Sequence, residues 1–166
     1  MLFRSVDAAR LVPDALFVVA GGMEQDVLAL RERAAGVGNV RIDGFQPPPK
    51  IALYLAAADI GVAPNRSQPS ISSRYTSPLK VFEAMAVGLP LVASDLPSLR
   101  ELLAHGRDAW LVRPDDAEEL AQGLKKLLGD AGLRQRLGTA LASRAAEHTW
   151  DARARRLVRW MGDRAS

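Results

Sequence analysis

Short apolar runs alternate with segments of helical spacing along this chain of 166 residues. The run at 15–20 is apolar at every position and ends in two glycines, as expected for a parallel strand that is buried on both faces. Further segments of strand length follow at 40–42, 59–64, 91–93 and 109–112, with helical patterns between them. This alternation predicts an α/β fold in which a parallel sheet is flanked by helices.

Composition limits both the size of the fold and the class of protein. With 48% hydrophobic residues, the chain is long enough for one well-buried domain and too short for two of ordinary size. It has no cysteine, which excludes disulfides and thiolate metal sites, and no apolar run long enough for a membrane span or a signal peptide. The net charge of +3 is spread along the chain and aromatic residues make up 5%, so we expect a cytoplasmic protein that does not bind nucleic acid.

The segment at 74–94 is where the sequence concentrates its chemistry. Ser77 is a favourable N-cap and Pro78 a favourable first helical residue, because proline lacks an N–H that would have no partner there. The helix would then present free backbone N–H groups at Leu79 and Lys80, at the positive end of its dipole. This junction predicts an anion site, with the Lys80 ammonium beside the amides.

Glu83 follows Lys80 by one helical turn, roughly 6–8 Å along the helix from its start. A carboxylate at that distance from a bound diphosphate could accept hydrogen bonds from ribose hydroxyls. The alternative is an exposed i,i+3 ion pair worth a few tenths of a kcal/mol, and the spacing does not separate the two interpretations. We expect Leu79, Phe82 and Ala86 to turn toward the core.

The segment at 77–94 reads Ser-Pro-Leu-Lys-Val-Phe-Glu-Ala-Met-Ala-x-Gly-x-Pro-Leu-Val-Ala-Ser. It resembles the donor-binding signature of the retaining, GT-B fold glycosyltransferases of family 4, in the variant that carries Ser-Pro-Leu-Lys. In that family two glutamates are separated by seven residues; the second binds the donor ribose and matches Glu83, and the first touches the transferred sugar. Tyr75 stands in place of the first glutamate. The resemblance implies a donor site that includes Tyr75, Thr76, Ser77, Pro78, Leu79, Lys80 and Glu83.

The order of elements over 15–64 also resembles the C-terminal domain of those transferases. The resemblance implies that Gly44, Phe45 and Gln46 lie against the nucleotide base, and the alternative for Phe45 is packing in the core. The polar segment at 65–76 follows a predicted strand, where open α/β sheets bind their ligands, or it is a surface loop without a role.

The resemblance begins inside the first helix of the family's C-terminal domain. We therefore expect residues 1–166 to form a single, N-terminally truncated nucleotide-sugar-binding domain: the Rossmann-like C-terminal half of a GT-B fold, apparently without its first strand. That strand is central in the family's sheet, and the N-terminal acceptor domain has no counterpart here. A partner chain fills the gap, the sheet closes up, or the chain is a fragment.

Three helix starts can be predicted from cap residues. The tetrapeptide at 98–101 fits a capping box between Ser98 and Glu101. The segment Pro114-Asp115-Asp116, with Glu118, is positioned to cap the following helix, and Thr149 to cap the last one.

The last predicted helix carries arginines at 153, 155, 156 and 159. Such a face is usually solvated. The alternatives are attraction to an anionic membrane surface through Arg153 and Arg156, and docking on another domain. Trp150 and Trp160 are expected to pack this helix against the rest of the protein.

The resemblance implies transfer of a sugar, with retention, from a nucleoside-diphosphate sugar to an unknown acceptor in carbohydrate biosynthesis. No Asp-x-Asp motif is evident, so we expect neither a metal nor a cofactor besides the donor. Expected partners are the donor, a partner chain or the missing acceptor domain, and the inner face of the membrane for a peripheral contact. The main alternative is a non-catalytic nucleotide-binding or interaction module derived from such a domain.

Overall fold

The computed structural model describes residues 3–68 and 79–163. The helices are α1 (Phe3–Leu11), α2 (Glu24–Arg33), α3 (Pro48–Ala57), α4 (Leu79–Val87), α5 (Pro97–Arg100), α6 (Ala117–Leu128), α7 (Ala131–Ser143), a 3-10 helix (Ala145–His148) and α8 (Trp150–Gly162). The strands are β1 (Phe17–Ala20), β2 (Val40–Asp43), β3 (Gly61–Ala63), β4 (Leu91–Ser94) and β5 (Trp110–Val112). The predicted alternation of strands and helices is confirmed.

The strands form two parallel sheets. In one, β1 pairs with β2, with Phe17 opposite Val40; in the other, β4 lies between β3 and β5, with Val92 opposite Trp110. Among the strands described, no hydrogen-bonded ladder joins β1 to β3. The option that the sheet closes up is therefore wrong, because each sheet keeps its own edge.

One apolar layer covers a face of both sheets. Helices α1 and α6 pack against each other, and their buried side chains share a cluster with Phe17 of β1 and Val92 of β4. The opposite face of the three-stranded sheet packs against α4 and α7, through residues such as Met85 and Leu141. Side chains of one apolar cluster, and not a backbone ladder, therefore connect the two sheets.

Asn39 fixes the connection between α1 and β1. Its side-chain amide nitrogen donates to the carbonyl oxygens of Ala9, Val12 and Ala15, at 2.9–3.0 Å. The Asn39 carbonyl in turn accepts a hydrogen bond from the Phe17 amide at 2.8 Å. One side chain therefore satisfies the end of α1 and sets where β1 begins.

Two of the three predicted caps are confirmed. The Asp116 carboxylate accepts from the amides of Glu118 and Glu119, and the Thr149 hydroxyl accepts from Ala152. The capping box at 98–101 is wrong, because α5 begins at Pro97, which favours the first helical position. Ser98 is therefore inside the helix, where it is buried with its hydroxyl oxygen unpaired.

Candidate functional site

Lys80 and Glu83 lie on α4, at the start of the second described stretch of the chain. Four of the predicted donor residues, Tyr75, Thr76, Ser77 and Pro78, lie outside the described residues. Lys80 is partly buried, and this burial lowers the pKa of its ammonium, while the nearby Glu83 carboxylate acts in the opposite direction. Glu83 itself is exposed. The helix thus holds a partly desolvated cation one turn before an accessible carboxylate, which suits a diphosphate next to a ribose.

The buried face of α4 differs from the predicted one. Val81, Ala84 and Met85 face the core, whereas Leu79 is 72% exposed and Ala86 is also exposed. The prediction was wrong for Leu79 and Ala86, whereas Phe82 is partly buried and packs against the core. This helix is apolar around most of its circumference, so more than one stripe fits the helical period. The exposed Leu79 leaves an apolar side chain beside the predicted anion site.

The loop after β2 carries the predicted base contacts. Phe45 is 79% exposed, so the alternative of core packing is wrong for this residue. Gly44 has a φ of 22°, and its carbonyl accepts a hydrogen bond from the Gly21 amide at 2.6 Å, which joins the ends of β1 and β2. The Gln46 side chain donates to the Asp43 carbonyl at 3.0 Å. A short, tied loop therefore presents an aromatic ring to solvent.

Asp43, the last residue of β2, is the anchor of this loop. Its carboxylate forms an ion pair with Arg41 at 2.7 Å and accepts a hydrogen bond from the Tyr54 hydroxyl at 2.6 Å. The hydrogen bond from Arg41, and then that from Tyr54, lower the pKa of Asp43. Since Tyr54 belongs to α3, these contacts fix the loop between its strand and the next helix.

The loop after β3 contains contacts that the sequence did not indicate. Asn65 is only 2% exposed, and its side-chain oxygen has no hydrogen-bond partner among the described residues. Two residues further, Ser67 donates from its amide to Asp115 at 2.9 Å, and also from its hydroxyl. Arg4 of α1 pairs with the same carboxylate at 2.7 Å. The only signal in the sequence was the position of these polar residues just after a strand.

The structure places these groups at the ends of strands rather than in one closed cavity. Gly44, Phe45 and Gln46 follow the carboxyl end of β2, and Asn65 and Ser67 follow that of β3. Helix α3, which continues from the first loop, packs against α4, which carries Lys80 and Glu83. The carboxyl ends of parallel strands are where open α/β sheets bind ligands, so this edge is the candidate site.

Two other kinds of site can be assessed over the described stretches. Within residues 3–68 and 79–163, no group of three or more His, Asp and Glu side chains could hold a metal ion. In the same part of the chain, no helix is both long enough and apolar enough to cross a membrane.

Comparison with known proteins gives the family. The profile described as "Glycosyl transferases group 1" matches residues 1–130. The chain is 33% identical over 145 residues to a phosphatidyl-myo-inositol mannosyltransferase of Mycobacterium leprae, covering 87% of this chain and 36% of that protein. It is 36% identical over 111 residues to the amylovoran biosynthesis glycosyltransferase AmsK of Erwinia amylovora, covering 66% of this chain and 26% of that protein. The chain therefore belongs to the group 1 glycosyltransferases, and it spans about a third of the length of these relatives.

Solved structures agree on the fold. Sucrose-phosphate synthase from Thermosynechococcus elongatus matches with a TM-score of 0.78 and 25% identity, over 99% of this chain and 43% of that chain. Anabaena HepE, solved in complex with UDP-glucose, matches with a TM-score of 0.70 and 24% identity, over 87% and 40%. The C-terminal domain of LpcC from Francisella tularensis matches with a TM-score of 0.70 and 21% identity, over 89% and 76%. The fold is that of the C-terminal domain of a GT-B glycosyltransferase, as the sequence predicted.

Proposed function

We propose that residues 1–166 form a single domain that binds a nucleoside-diphosphate sugar, for a glycosyltransferase that transfers the sugar with retention. The observation that carries this proposal is the pair on α4, a partly buried Lys80 and an exposed Glu83, in a chain of this family. HepE, which shares the fold, was solved with UDP-glucose. We extend the class of ligand, a nucleotide sugar, to this chain.

In the proposed mechanism the described residues each contact a different part of the donor. The Lys80 ammonium and the amides at the start of α4 hold the diphosphate and stabilise the charge that grows on it as the bond to the sugar breaks. Glu83 accepts hydrogen bonds from the ribose hydroxyls and so sets the position of the sugar. The exposed ring of Phe45, with Gly44 and Gln46, lies against the base. No metal or further cofactor is required in this proposal.

The second candidate is a non-catalytic nucleotide-binding or interaction module. The presence of Tyr75 where the family has its first glutamate favours it, because the proposed contact to the transferred sugar then lacks a carboxylate. Both candidates share the donor site, and they differ in whether the sugar is transferred.

The test is a calorimetric titration of the chain with UDP-glucose and with GDP-mannose. The variant Glu83→Ala is expected to bind the preferred donor about 10- to 100-fold more weakly, because a hydrogen bond to a charged group is lost. Glu32→Ala removes an exposed glutamate of α2 and is the matched control, expected to bind as the wild type does. Equal binding by the Glu83 variant would contradict the ribose contact. Folded wild-type protein that binds neither donor would favour the interaction module.

A free strand edge supports the proposal of a further partner. Within β1, Phe17 donates its amide hydrogen to Asn39, and Gly21, just beyond the strand, donates to Gly44, so both face β2. Because backbone groups of a strand alternate between its two edges, those of Val18 point away from β2.

The same reasoning applies to β3. The Gly61 amide donates to Pro90 beside β4, so the backbone groups of Val62 point to the other edge. Phe17 and Val62 border one apolar layer. We propose that an extended segment, from a partner chain or from the part of the transferase that holds the acceptor, pairs with these edges, because unpaired groups there would cost about 1–3 kcal/mol each when buried.

Helix α8 supports a proposed contact with an anionic membrane at its inner, cytoplasmic face. Its apolar residues point outward, and Trp150 is 81% exposed, so the expectation that the tryptophans pack the helix down is wrong for Trp150. The reason is that α8 packs mainly against the 3-10 helix, so most of its circumference, including its arginines, stays exposed. The exposed apolar residues Trp150, Leu157, Val158 and Met161 form what we call the apolar stripe. The Arg153 guanidinium carbon lies 5.7 Å from the centroid of the Trp150 ring, next to this stripe. Apolar stripes bordered by arginine are typical of interfacial helices.

We expect the chain to sediment with vesicles that contain an anionic lipid and not with neutral phosphatidylcholine vesicles. The double variant Trp150→Ser, Val158→Ser should abolish sedimentation, because it removes apolar area from the stripe. Leu16→Ser, which removes an equally exposed leucine far from α8, is the control and should sediment like the wild type. Equal sedimentation of the double variant would contradict the membrane contact and leave domain docking as the use of α8.

A further inference from the structure

Asp115 joins three parts of the chain that are far apart in sequence. Its Oδ2 accepts hydrogen bonds from the Ser67 amide at 2.9 Å and from the Ser67 hydroxyl, and its Oδ1 pairs with Arg4 at 2.7 Å. Ser67 belongs to the loop after β3, Arg4 to the first turn of α1, and Asp115 to the loop between β5 and α6. We call this group the Asp115 clamp: Arg4, Ser67 and Asp115.

The backbone of Asp115 is unusual. Its φ is 63°, and among the residues described no other residue apart from glycine has a positive φ. Glycine adopts this conformation most readily, and aspartate is one of the few other residues that tolerate it. A position that favours glycine therefore carries a carboxylate that makes specific contacts to two other segments.

The environment of the carboxylate is consistent with a charged clamp. Partial burial acts to raise the pKa of Asp115, but the hydrogen bonds from Ser67 and the charges of Arg4 and Arg66 lower it overall. The carboxylate is thus ionised at neutral pH and accepts from Ser67 at full strength.

The clamped residues come between β3 and α4 in the sequence, and both elements border the candidate donor site. Ser67 lies two residues after the buried Asn65, and the chain continues from it to Lys80 at the start of α4. Without the clamp, residues 65–68 would lose the hydrogen bonds that join Ser67 to the β5–α6 loop.

We propose that Asp115 is a positioning residue, which holds the loop after β3 in the conformation that donor binding needs. The inference rests on the proposed function of this edge of the sheet. This role is separate from helix capping, because Asp116 and not Asp115 caps the following helix.

The test uses the full chain with Asp115→Gly, Asp115→Asn and Ser67→Ala. Glycine adopts the positive φ readily, which offsets part of the cost of the lost contacts, so Asp115→Gly is expected to fold while it loses the clamp. We expect faster amide exchange at 65–68 in the ligand-free protein, and UDP-glucose or GDP-mannose binding weakened at least about fivefold, because the loop must be ordered on binding. Asp115→Asn keeps an acceptor for Ser67 and should retain most of the affinity. Ser67→Ala removes only the hydroxyl hydrogen bond and keeps the amide bond and the Arg4 pair, so its effect should lie between those of the wild type and the glycine variant.

Two results would overturn the inference. One is unchanged exchange at 65–68 in Asp115→Gly; the other is faster exchange with wild-type donor affinity, which would make the clamp merely structural. If the wild type binds neither donor, the proposed function fails, and the exchange measurement still decides whether Asp115 holds the loop.

Discussion

Gly138→Ala is expected to lower the free energy of unfolding by about 2–3 kcal/mol, as overpacking of a close contact does. A Cβ at this position of α7 would overlap the carbonyl oxygen of Gly88, and it would lie 3.5 Å from the Pro90 ring. Gly88 has a φ of 66° and ends the turn after α4, so its backbone has little freedom to move away. Relief of this overlap would require a shift of Gly88 and therefore of the end of α4, the helix that carries Lys80 and Glu83.

The matched control for this prediction is Gly132→Ala, in the first turn of the same helix. There the nearest atom to an added Cβ is the Asp130 carboxylate oxygen at 3.5 Å, an ordinary contact. Alanine is favoured over glycine in helices by up to about 1 kcal/mol, so this variant should be equally or more stable than the wild type. Urea unfolding of the three proteins gives the comparison. Equal stability of the two variants would contradict a tight contact between α7 and the end of α4.

Lys80→Met is expected to weaken UDP binding about 100-fold, which corresponds to roughly 2.7 kcal/mol. Methionine keeps an apolar stem of similar length but removes the charge that would face the diphosphate. Because burial lowers the pKa of the Lys80 ammonium, the charge does not favour the folded state, and stability should not fall. Lys50→Met, which changes an exposed lysine of α3, is the control.

Comparison of UDP with uridine locates the effect. Uridine lacks the diphosphate, so it should bind more weakly than UDP. Its affinity should be the same for the wild type and for Lys80→Met. A loss that is equal for both ligands would show that the substitution disturbs the site as a whole. Binding of UDP should also weaken as the pH rises through the lowered pKa of Lys80, because the ammonium then loses its proton.

The alternation of segments was sufficient to predict the strands, because all but β2 are short, mainly apolar segments and β2 alternates apolar with charged residues. It was not sufficient for the orientation of α4. In the sequence of α4 apolar residues outnumber polar ones by seven to two, so Leu79, Phe82 and Ala86 fit the helical period as well as Val81, Ala84 and Met85. The choice between the two stripes depends on the packing of α7 against this helix, which no local pattern contains.

The candidate site was predictable where it is local and not where it depends on distant contacts. Lys80 and Glu83 fall within one motif, and Phe45 lies on a loop that the order of elements places at the end of a strand. The Asp115 clamp joins positions 4, 67 and 115, and nothing in the sequence links them before the chain is folded. The exposure of Trp150 has the same origin, because it depends on α8 packing mainly against the 3-10 helix.

The separation of the two sheets has a consequence for folding cooperativity. Backbone ladders couple the strands within each sheet, whereas the coupling between the sheets rests on the α1–α6 packing, the shared apolar layer and the ion pair of Arg4 with Asp115. Because no ladder couples the two sheets, we expect β1 and β2 with their helices to open at a lower free energy than the three-stranded unit. An added strand that paired with both edges would merge these units into one cooperative transition, and its binding energy would appear as stability of the whole domain.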